Sequence, residues 1–342
     1  MSEIMTGGGL TPEQAAKVFV ASGSINPELA QDTVDSIGLK LGETNLEQFP
    51  DGEFHPRYKE SVRGKHVFVM QSHGRRNGLS VNDAIVEQEL MIDAALRASA
   101  SQITAVNPYF AYMRGDKKQE GREPIPSAYM IGKLQNAGAN RIVAVDLHSG
   151  QSQGHFHGPF DPLLAHPVII SALRDVMEPG QEENYLMVSP DEGRLRVATI
   201  QAEELGIDVA FIPKKRKSGD SVTRTKTNLE EADGRDCFLV DDIIATGGTV
   251  ISAVEMLKKA GAKDVYVAAT HGTLPGNALE NLSQSEVKQF IMTDTLPMHE
   301  AKEALGDRLK VVSMAPLIGQ AIVEIVSDGS VSKLFGGLNN SY

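Results

Sequence analysis

The sequence predicts an α/β protein built from two similar halves, each a mainly parallel sheet flanked by helices. Short apolar runs, typical of buried parallel strands, alternate with helical stretches along the chain. A helix end, a turn of small residues and a strand start recur three times, beginning at Leu96, Leu134 and Leu257. This recurrence is the helix-to-strand return of α/β units. A length of 342 residues leaves room for about two domains of roughly 150 residues each.

The predicted elements follow from apolar spacing and from the residues that interrupt it. The predicted strands, in chain order, are 65–71, 102–107, 141–147, 186–189, 208–212, 236–240 and 264–269. Helical spacing marks 250–260, which Gly261 ends, and an amphipathic helix is predicted over 315–326. The alternation of strands and helices favours doubly wound parallel sheets.

Domain boundaries are predicted where glycine and proline break this pattern, around 158–162. We expect a disordered segment over 1–15, a first domain over 16–160 and a second domain over 161–317. The C-terminal helix, around 318–342, is expected to return to the first domain.

Composition and charge exclude several functional classes. The net charge of −12 repels nucleic acid and anionic membranes. The single cysteine, Cys237, lies in an apolar strand, which favours a buried small hydrophobe over a nucleophile. No apolar run approaches the roughly 18 residues of a membrane span, and the start lacks the order of a signal peptide. We expect a cytoplasmic protein with no nucleic-acid or membrane partner.

The most informative stretch is 237–249, Cys-Phe-Leu-Val-Asp-Asp-Ile-Ile-Ala-Thr-Gly-Gly-Thr. Its small-residue loop opens a helix, where unpaired backbone N–H groups and the positive dipole end suit a phosphate. The loop consists of Thr246, Gly247, Gly248 and Thr249. Asp241 and Asp242, at the carboxyl end of the strand, can accept hydrogen bonds from vicinal hydroxyls. An ordinary turn with a capping acid is the alternative, but this order of residues favours a ribose 5-phosphate site.

A local basic run, 214–217, interrupts the acidic chain. It could be a solvated charge run or a tract for nucleic acid. Because it follows an apolar segment and precedes the polar residues 218–221, a lid that carries cations is the better interpretation.

Four more motifs carry groups suited to phosphate and metal chemistry. They are the turn Phe49-Pro-Asp-Gly-Glu53, the strand end Tyr109-Phe-Ala-Tyr-Met-Arg-Gly-Asp116, the segment Asp146-Leu-His148 and the segment Ser189-Pro-Asp-Glu-Gly193. Each places an aromatic ring, a cation, an imidazole or a carboxylate in a turn or at the end of a strand.

Taken in order with 214–217 and 237–249, these motifs resemble the ribose-phosphate diphosphokinase (PRPP synthetase) family, from about residue 18 to the C-terminus. The loop 246–249 alone is shared with phosphoribosyltransferases. The resemblance implies two phosphoribosyltransferase-like domains. It also implies transfer of the β,γ-diphosphoryl group of Mg-ATP to the C1 hydroxyl of ribose 5-phosphate, giving 5-phospho-α-D-ribose 1-diphosphate and AMP. Mg²⁺ is the implied cofactor, and a homodimer or hexamer is the implied assembly.

The resemblance also implies roles for individual residues. Lys214 and Arg216 would close over the polyphosphate as catalytic cations. The positions matching ATP-binding residues are Phe49, Asp51, Glu53, Arg114 and Asp116. His148 and Asp191 match magnesium-associated positions. Structural roles are the alternatives, because His148 could be a hydrogen-bonded structural residue and Asp191 could cap a helix beginning near Gly193.

Some positions depart from the family pattern. Ala245 stands where many members carry Asp, and Gly115 replaces the usual Gln of the ATP motif. These departures keep open a catalytically weak regulatory paralogue of the same fold. A phosphoribosyltransferase that consumes the diphosphate with a nucleobase is the other alternative.

Overall fold

The structure, a computed structural model, describes residues 9–212 and 228–336, and the chain divides into two compact units. Among the described residues, the first unit runs to Ala165 and includes Thr295–Pro297 and the chain from Ser313 to Gly336. The second unit comprises His166–Asp294 and Met298–Val312. The second unit is therefore inserted into the first along the chain.

Helices and strands alternate through both units. Within the described ranges the α-helices are α1 (Pro12–Ala16), α2 (Pro27–Ser36), α3 (Val81–Arg97), α4 (Pro126–Ala137), α5 (His166–Arg174), α6 (Leu195–Leu205), α7 (Gly248–Lys259), α8 (Ala278–Ser283), α9 (His299–Leu305) and α10 (Ala315–Val326). The strands are β1 (Val18–Ser22), β2 (Thr44–Gln48), β3 (Phe54–Tyr58), β4 (His66–Met70), β5 (Gln102–Asn107), β6 (Arg141–Val145), β7 (Phe160–Leu163), β8 (Tyr185–Ser189), β9 (Asp208–Phe211), β10 (Asp236–Ile244), β11 (Val265–Gly272), β12 (Gln289–Thr293) and β13 (Leu309–Val312).

The first unit has a five-stranded parallel sheet in the order β1-β4-β5-β6-β7 and a separate antiparallel hairpin of β2 and β3. Pro162, in the stretch 158–162 that interrupts the sequence pattern, lies in the edge strand β7, where a missing N–H costs little. Helix α1 overlaps the segment 1–15, and a capping box between Thr11 and Gln14 supports its single turn.

The second unit has a six-stranded parallel sheet in the order β13-β12-β11-β10-β8-β9. From β8 the chain adds β9 on one side and then returns to add β10 on the other side. The strand order thus reverses between β8 and β10, which makes a topological switch point. Ligands of open α/β sheets bind outside the carboxyl ends of the strands at such a point.

Helices cover the central strands of both sheets. All five residues of β8 are buried, and so are Val67 to Met70 in β4. Since successive strand residues point to opposite faces, this continuous burial means that both faces are covered. The predicted α/β fold, with mainly parallel sheets flanked by helices, is confirmed.

Most predicted elements match the observed bounds within a few residues. The strand 102–107 and the helix 315–326 match residue for residue. The prediction that the strand ends before Asp241 was wrong, because β10 continues to Ile244 and pairs with β11 up to Gly272. Both acids therefore lie inside the strand.

Helix α10 packs against α2 in the first unit. Gly319 permits the close approach, since a Cβ there would lie 2.4 Å from the Ser36 Oγ and 3.0 Å from the Thr33 carbonyl oxygen. Among the described helices, none combines the length and apolar character that a membrane crossing requires.

Candidate active site

The switch point of the second sheet brings together the candidate groups of that unit. Strands β8 and β10 pair in parallel, with Val188 opposite Leu239. Asp191 follows β8 by two residues, and Asp241 and Asp242 lie near the carboxyl end of β10. The sequence therefore places three carboxylates at one sheet edge, where parallel α/β sheets bind ligands.

The loop between β10 and α7 has the form of an anion site. Gly247 is the N-cap of α7 with a φ of 80°, and no side chain caps the helix. The backbone N–H groups of the first turn therefore keep capacity for an external acceptor. Thr246, Gly248 and Thr249 are exposed, while Gly247 is buried, and a Cβ added to it would lie 3.0 Å from Leu282. The prediction that this loop lies at a helix N-terminus is confirmed.

The acid pair of β10 shares one guanidinium. The Arg194 Nε lies 3.6 Å from the Asp241 Oδ1, and its Nη1 lies 3.4 Å from the Asp242 Oδ2. Asp242 is buried and Asp241 is half-buried. Burial first, and the neighbouring Asp242 second, raise the pKa of Asp241 to about 7, against the opposing charge of Arg194. The pair can thus hold a proton or accept hydrogen bonds from hydroxyl groups near neutral pH.

Asp191 caps the turn after β8. Its Oδ1 accepts a hydrogen bond of 3.1 Å from the Arg194 N–H, and its carbonyl oxygen accepts one of 2.7 Å from the Ser189 Oγ. Asp191 therefore has the capping role that the sequence analysis gave as an alternative. It leaves the side chain half-buried at the sheet edge.

In the first unit, the aromatic turn forms the tip of the hairpin β2–β3. The Phe49 N–H donates to the Glu53 carbonyl oxygen, and the Asp51 Oδ1 accepts from the Glu53 N–H. Phe49, Asp51 and Glu53 are all exposed, and the Phe49 ring stacks against the His55 ring at 5.7 Å between centroids. The turn presents a ring and two acids to the outside, as its sequence predicted.

Arg114 and Asp116 follow β5 in the first unit. Arg114 is exposed and Asp116 is half-buried. Between them, a Cβ on Gly115 would lie 2.8 Å from the Pro126 ring, which makes glycine a packing requirement in this chain. The departure at Gly115 thus has a structural reason, namely the proline at the start of α4.

His148 lies three residues beyond β6 and is exposed. The nearby Asp146 has a φ of 36°, a rare conformation for a residue with a side chain, and its Oδ1 accepts from the Ala165 N–H. Strained backbone of this kind is common at functional sites. It fixes the direction in which the chain leaves β6 and so positions His148.

The candidate metal groups are few. Among the described residues no three His, Cys, Asp or Glu side chains form a cluster suited to a metal. Magnesium is commonly held by one or two carboxylates together with substrate phosphates and water. The half-buried Asp191 carboxylate at the sheet edge fits that kind of binding.

The predicted catalytic cations Lys214 and Arg216 lie outside the described residues. Arg194 was missed, because an arginine in a turn carries no distinctive pattern. Its position three residues after Asp191, at a strand end, was the available signal.

Comparisons with known proteins are consistent with the two-unit α/β fold described above. Residues 18–138 match the N-terminal domain of ribose phosphate pyrophosphokinase, and residues 222–336 match the phosphoribosyl synthetase-associated domain. The chain is 45% identical to a ribose-phosphate pyrophosphokinase of Bifidobacterium longum over 324 residues, covering 93% of this chain and 92% of that protein. It is 41% identical to one of Streptomyces coelicolor over 332 residues, covering 97% and 99%.

A solved structure shows the same fold. The phosphoribosylpyrophosphate synthetase from Mycobacterium smegmatis aligns with a TM-score of 0.81 and 38% identity, covering 92% of this chain and all of that one. The chain is therefore an enzyme of the phosphoribosyl synthetase class. It belongs to the ribose-phosphate pyrophosphokinase family, and the resemblance read from its motifs is confirmed.

Proposed function

We propose that this chain transfers the β,γ-diphosphoryl group of Mg-ATP to the C1 hydroxyl of ribose 5-phosphate. The products are 5-phospho-α-D-ribose 1-diphosphate and AMP. The observation that carries the proposal is the acid pair of β10 followed by an uncapped helix N-terminus, both at the switch point of the second sheet. Family membership supports the reaction class, and the form of this site supports a sugar phosphate as its ligand.

In the proposal, the second unit binds the sugar phosphate. The N–H groups at the start of α7, in the loop 246–249, bind the 5-phosphate. Asp241 and Asp242 accept hydrogen bonds from the vicinal ribose hydroxyls. The C1 hydroxyl then attacks the β-phosphorus, the bond from that phosphorus to the α-phosphate oxygen breaks, and AMP leaves with that oxygen. The hydroxyl proton passes to solvent.

The remaining roles rest on the family resemblance. Phe49, Asp51, Glu53, Arg114 and Asp116 would bind ATP, with the exposed Phe49 ring as a stacking surface for the purine. The cations Lys214 and Arg216 would stabilise the charge that develops on the transferred group.

The family resemblance supports a magnesium-associated role for Asp191, whose carboxylate would hold the ion, and, separately, for His148. Mg²⁺ neutralises phosphate charge and draws electron density from the reacting phosphorus. Asp191 contributes a carboxylate that its bonds with Arg194 and Ser189 keep at the sheet edge.

The test is direct. Purified chain is incubated with ATP and ribose 5-phosphate, with and without Mg²⁺, and AMP and the phosphoribosyl product are both quantified. We expect the two to appear in equal amounts, only when both substrates and Mg²⁺ are present. AMP formation without the sugar, or none with it, would refute the proposal. Consumption of the diphosphate with a nucleobase would instead favour a phosphoribosyltransferase.

Two further expectations accompany this function. A nucleotide-precursor enzyme is expected in the cytoplasm, and the family resemblance implies two or six copies in the assembly. Sedimentation of the purified chain at several concentrations measures the second of these.

A further inference from the structure

Arg194 contacts each acidic side chain of the second unit's site. Its guanidinium lies within 3.6 Å of both Asp241 and Asp242, and its backbone N–H donates to the Asp191 Oδ1 at 3.1 Å. One residue therefore connects the end of β8 to the acid pair of β10. These are the two strands between which the order of the sheet reverses.

The Arg194 guanidinium lies farther from the two acids than the nitrogen of a hydrogen-bonded salt bridge does. Charge-assisted hydrogen bonds between nitrogen and carboxylate oxygen are about 2.7–2.9 Å long. In the same unit the Arg235 Nη2 reaches the Asp208 Oδ2 at 2.9 Å, which is such a bond. Arg194 stays at 3.4 and 3.6 Å from the acids, so it supplies charge without forming a short bond to either oxygen.

The positive charge of Arg194 stabilises Asp241 and Asp242, because the two acids are adjacent and largely buried. Asp242 exposes 5% of its side chain and Asp241 20%, and two adjacent carboxylates repel each other. A cation close to both offsets part of this repulsion. Carboxylate oxygens can accept hydrogen bonds from sugar hydroxyls.

We propose that Arg194 is a positioning residue for the sugar, which holds Asp241 and Asp242 aligned for the ribose hydroxyls and fixes Asp191 beside them. The inference rests on the proposed function for the identity of the sugar. The alternative is a structural role, in which Arg194 only ends the turn after β8 and its side chain adds general stability.

The chain offers a matched set of variants. Arg194→Gln removes the charge and keeps the backbone N–H that donates to the Asp191 carboxylate. Arg194→Lys keeps the charge and removes the planar fork. Arg196→Gln removes the same charge two residues further along α6, from an exposed side chain that bonds to neither acid in the described structure.

The experiment measures steady-state kinetics for both substrates and calorimetric binding of ribose 5-phosphate. For Arg194→Gln we expect a KM and a Kd for ribose 5-phosphate about tenfold higher, because the two acids lose the positive charge that aligns them. The KM for ATP should stay the same, because the change concerns the sugar alone. Arg194→Lys should recover part of the affinity, and Arg196→Gln should match the parent.

Several results would overturn the inference. An unchanged Kd for the sugar in Arg194→Gln contradicts it, as does an equal loss in Arg196→Gln. A fall in kcat and unfolding temperature with no change in KM supports the structural alternative instead. Because calorimetry needs no turnover, sugar binding that depends on Arg194 would uphold the inference even if the parent chain formed no product.

Discussion

Replacing Asp241 by Asn should stabilise the second unit at neutral pH while weakening sugar binding. The pKa of this carboxyl rises from 3.8 to about 7 on folding, chiefly through burial and then through Asp242. A difference of about 3 pH units at about 1.36 kcal/mol each gives an upper limit of about 4 kcal/mol. Asp241 keeps 20% of its side chain exposed, so water screens part of this cost. We expect a gain of about 2 kcal/mol.

The stability that Asp241→Asn gains over the parent should increase as pH rises toward 7. Below about pH 4 the carboxyl is protonated in both the folded and the unfolded chain, so Asn and Asp should be nearly equivalent. Between the two pKa values the unfolded chain releases the proton and the folded chain retains it. The stability of the parent therefore falls as pH rises toward 7. The Asn variant does not show this fall, because its side chain does not titrate.

Calorimetric unfolding of Asp241→Asn and the parent, from about pH 4 to about pH 8, measures this difference. The control is Asp307→Asn, which neutralises an exposed carboxylate of the same unit. A gain that stays constant across the range would refute the reasoning, as would a variant less stable than the parent at pH 8. Ribose 5-phosphate binding by the variant should be weaker at every pH.

Three further substitutions test other parts of the structure. Gly247→Ala should lower turnover at least tenfold, because its φ of 80° strains any other residue and the new Cβ would lie 3.0 Å from Leu282. Gly115→Ala should lower the free energy of unfolding by about 1–3 kcal/mol, since the Cβ meets the Pro126 ring at 2.8 Å. Phe49→Ala should raise the KM for ATP up to about tenfold with no change in unfolding temperature.

Each of these has a matched control. Gly206→Ala also introduces a side chain at positive φ, of 71°, but in open space at the end of α6, so it should retain turnover. Gly121→Ala places its Cβ in open space as well, and should keep the stability that Gly115→Ala loses. Tyr129→Ala removes another exposed ring of the first unit and should leave the KM for ATP unchanged. A control that behaves like its partner contradicts the corresponding prediction.

The sequence predicted the central elements because their local signals agree. The strand 102–107 is a segment of strand length that contains Ile103, Ala105 and Val106, and the helix 315–326 is continuously apolar on one face. The loop 246–249 was found because phosphate binding needs a particular order of small residues. These signals lie within one short window of sequence, so no knowledge of tertiary contacts was needed.

The missed features depend on contacts between distant parts of the chain. The edge strand β7 contains Pro162, which local reasoning takes as a break but a sheet edge tolerates. Strand β10 runs through Asp241 and Asp242 because its partner β11 continues alongside. Arg194 acquires its role only when β8 and β10 become neighbours, about fifty residues apart in sequence.

The insertion of the second unit within the first has a consequence for biosynthesis. Helix α10, encoded near the end of the message, covers α2, encoded near its beginning. While the ribosome is still translating residues 166–294, the nascent first unit lacks this cover, and the surface of α2 at Thr33 and Ser36 stays without its packing partner. A nonsense codon shortly before Ser313 would therefore release a chain whose first unit stays incomplete, although most of the second unit's residues had been made.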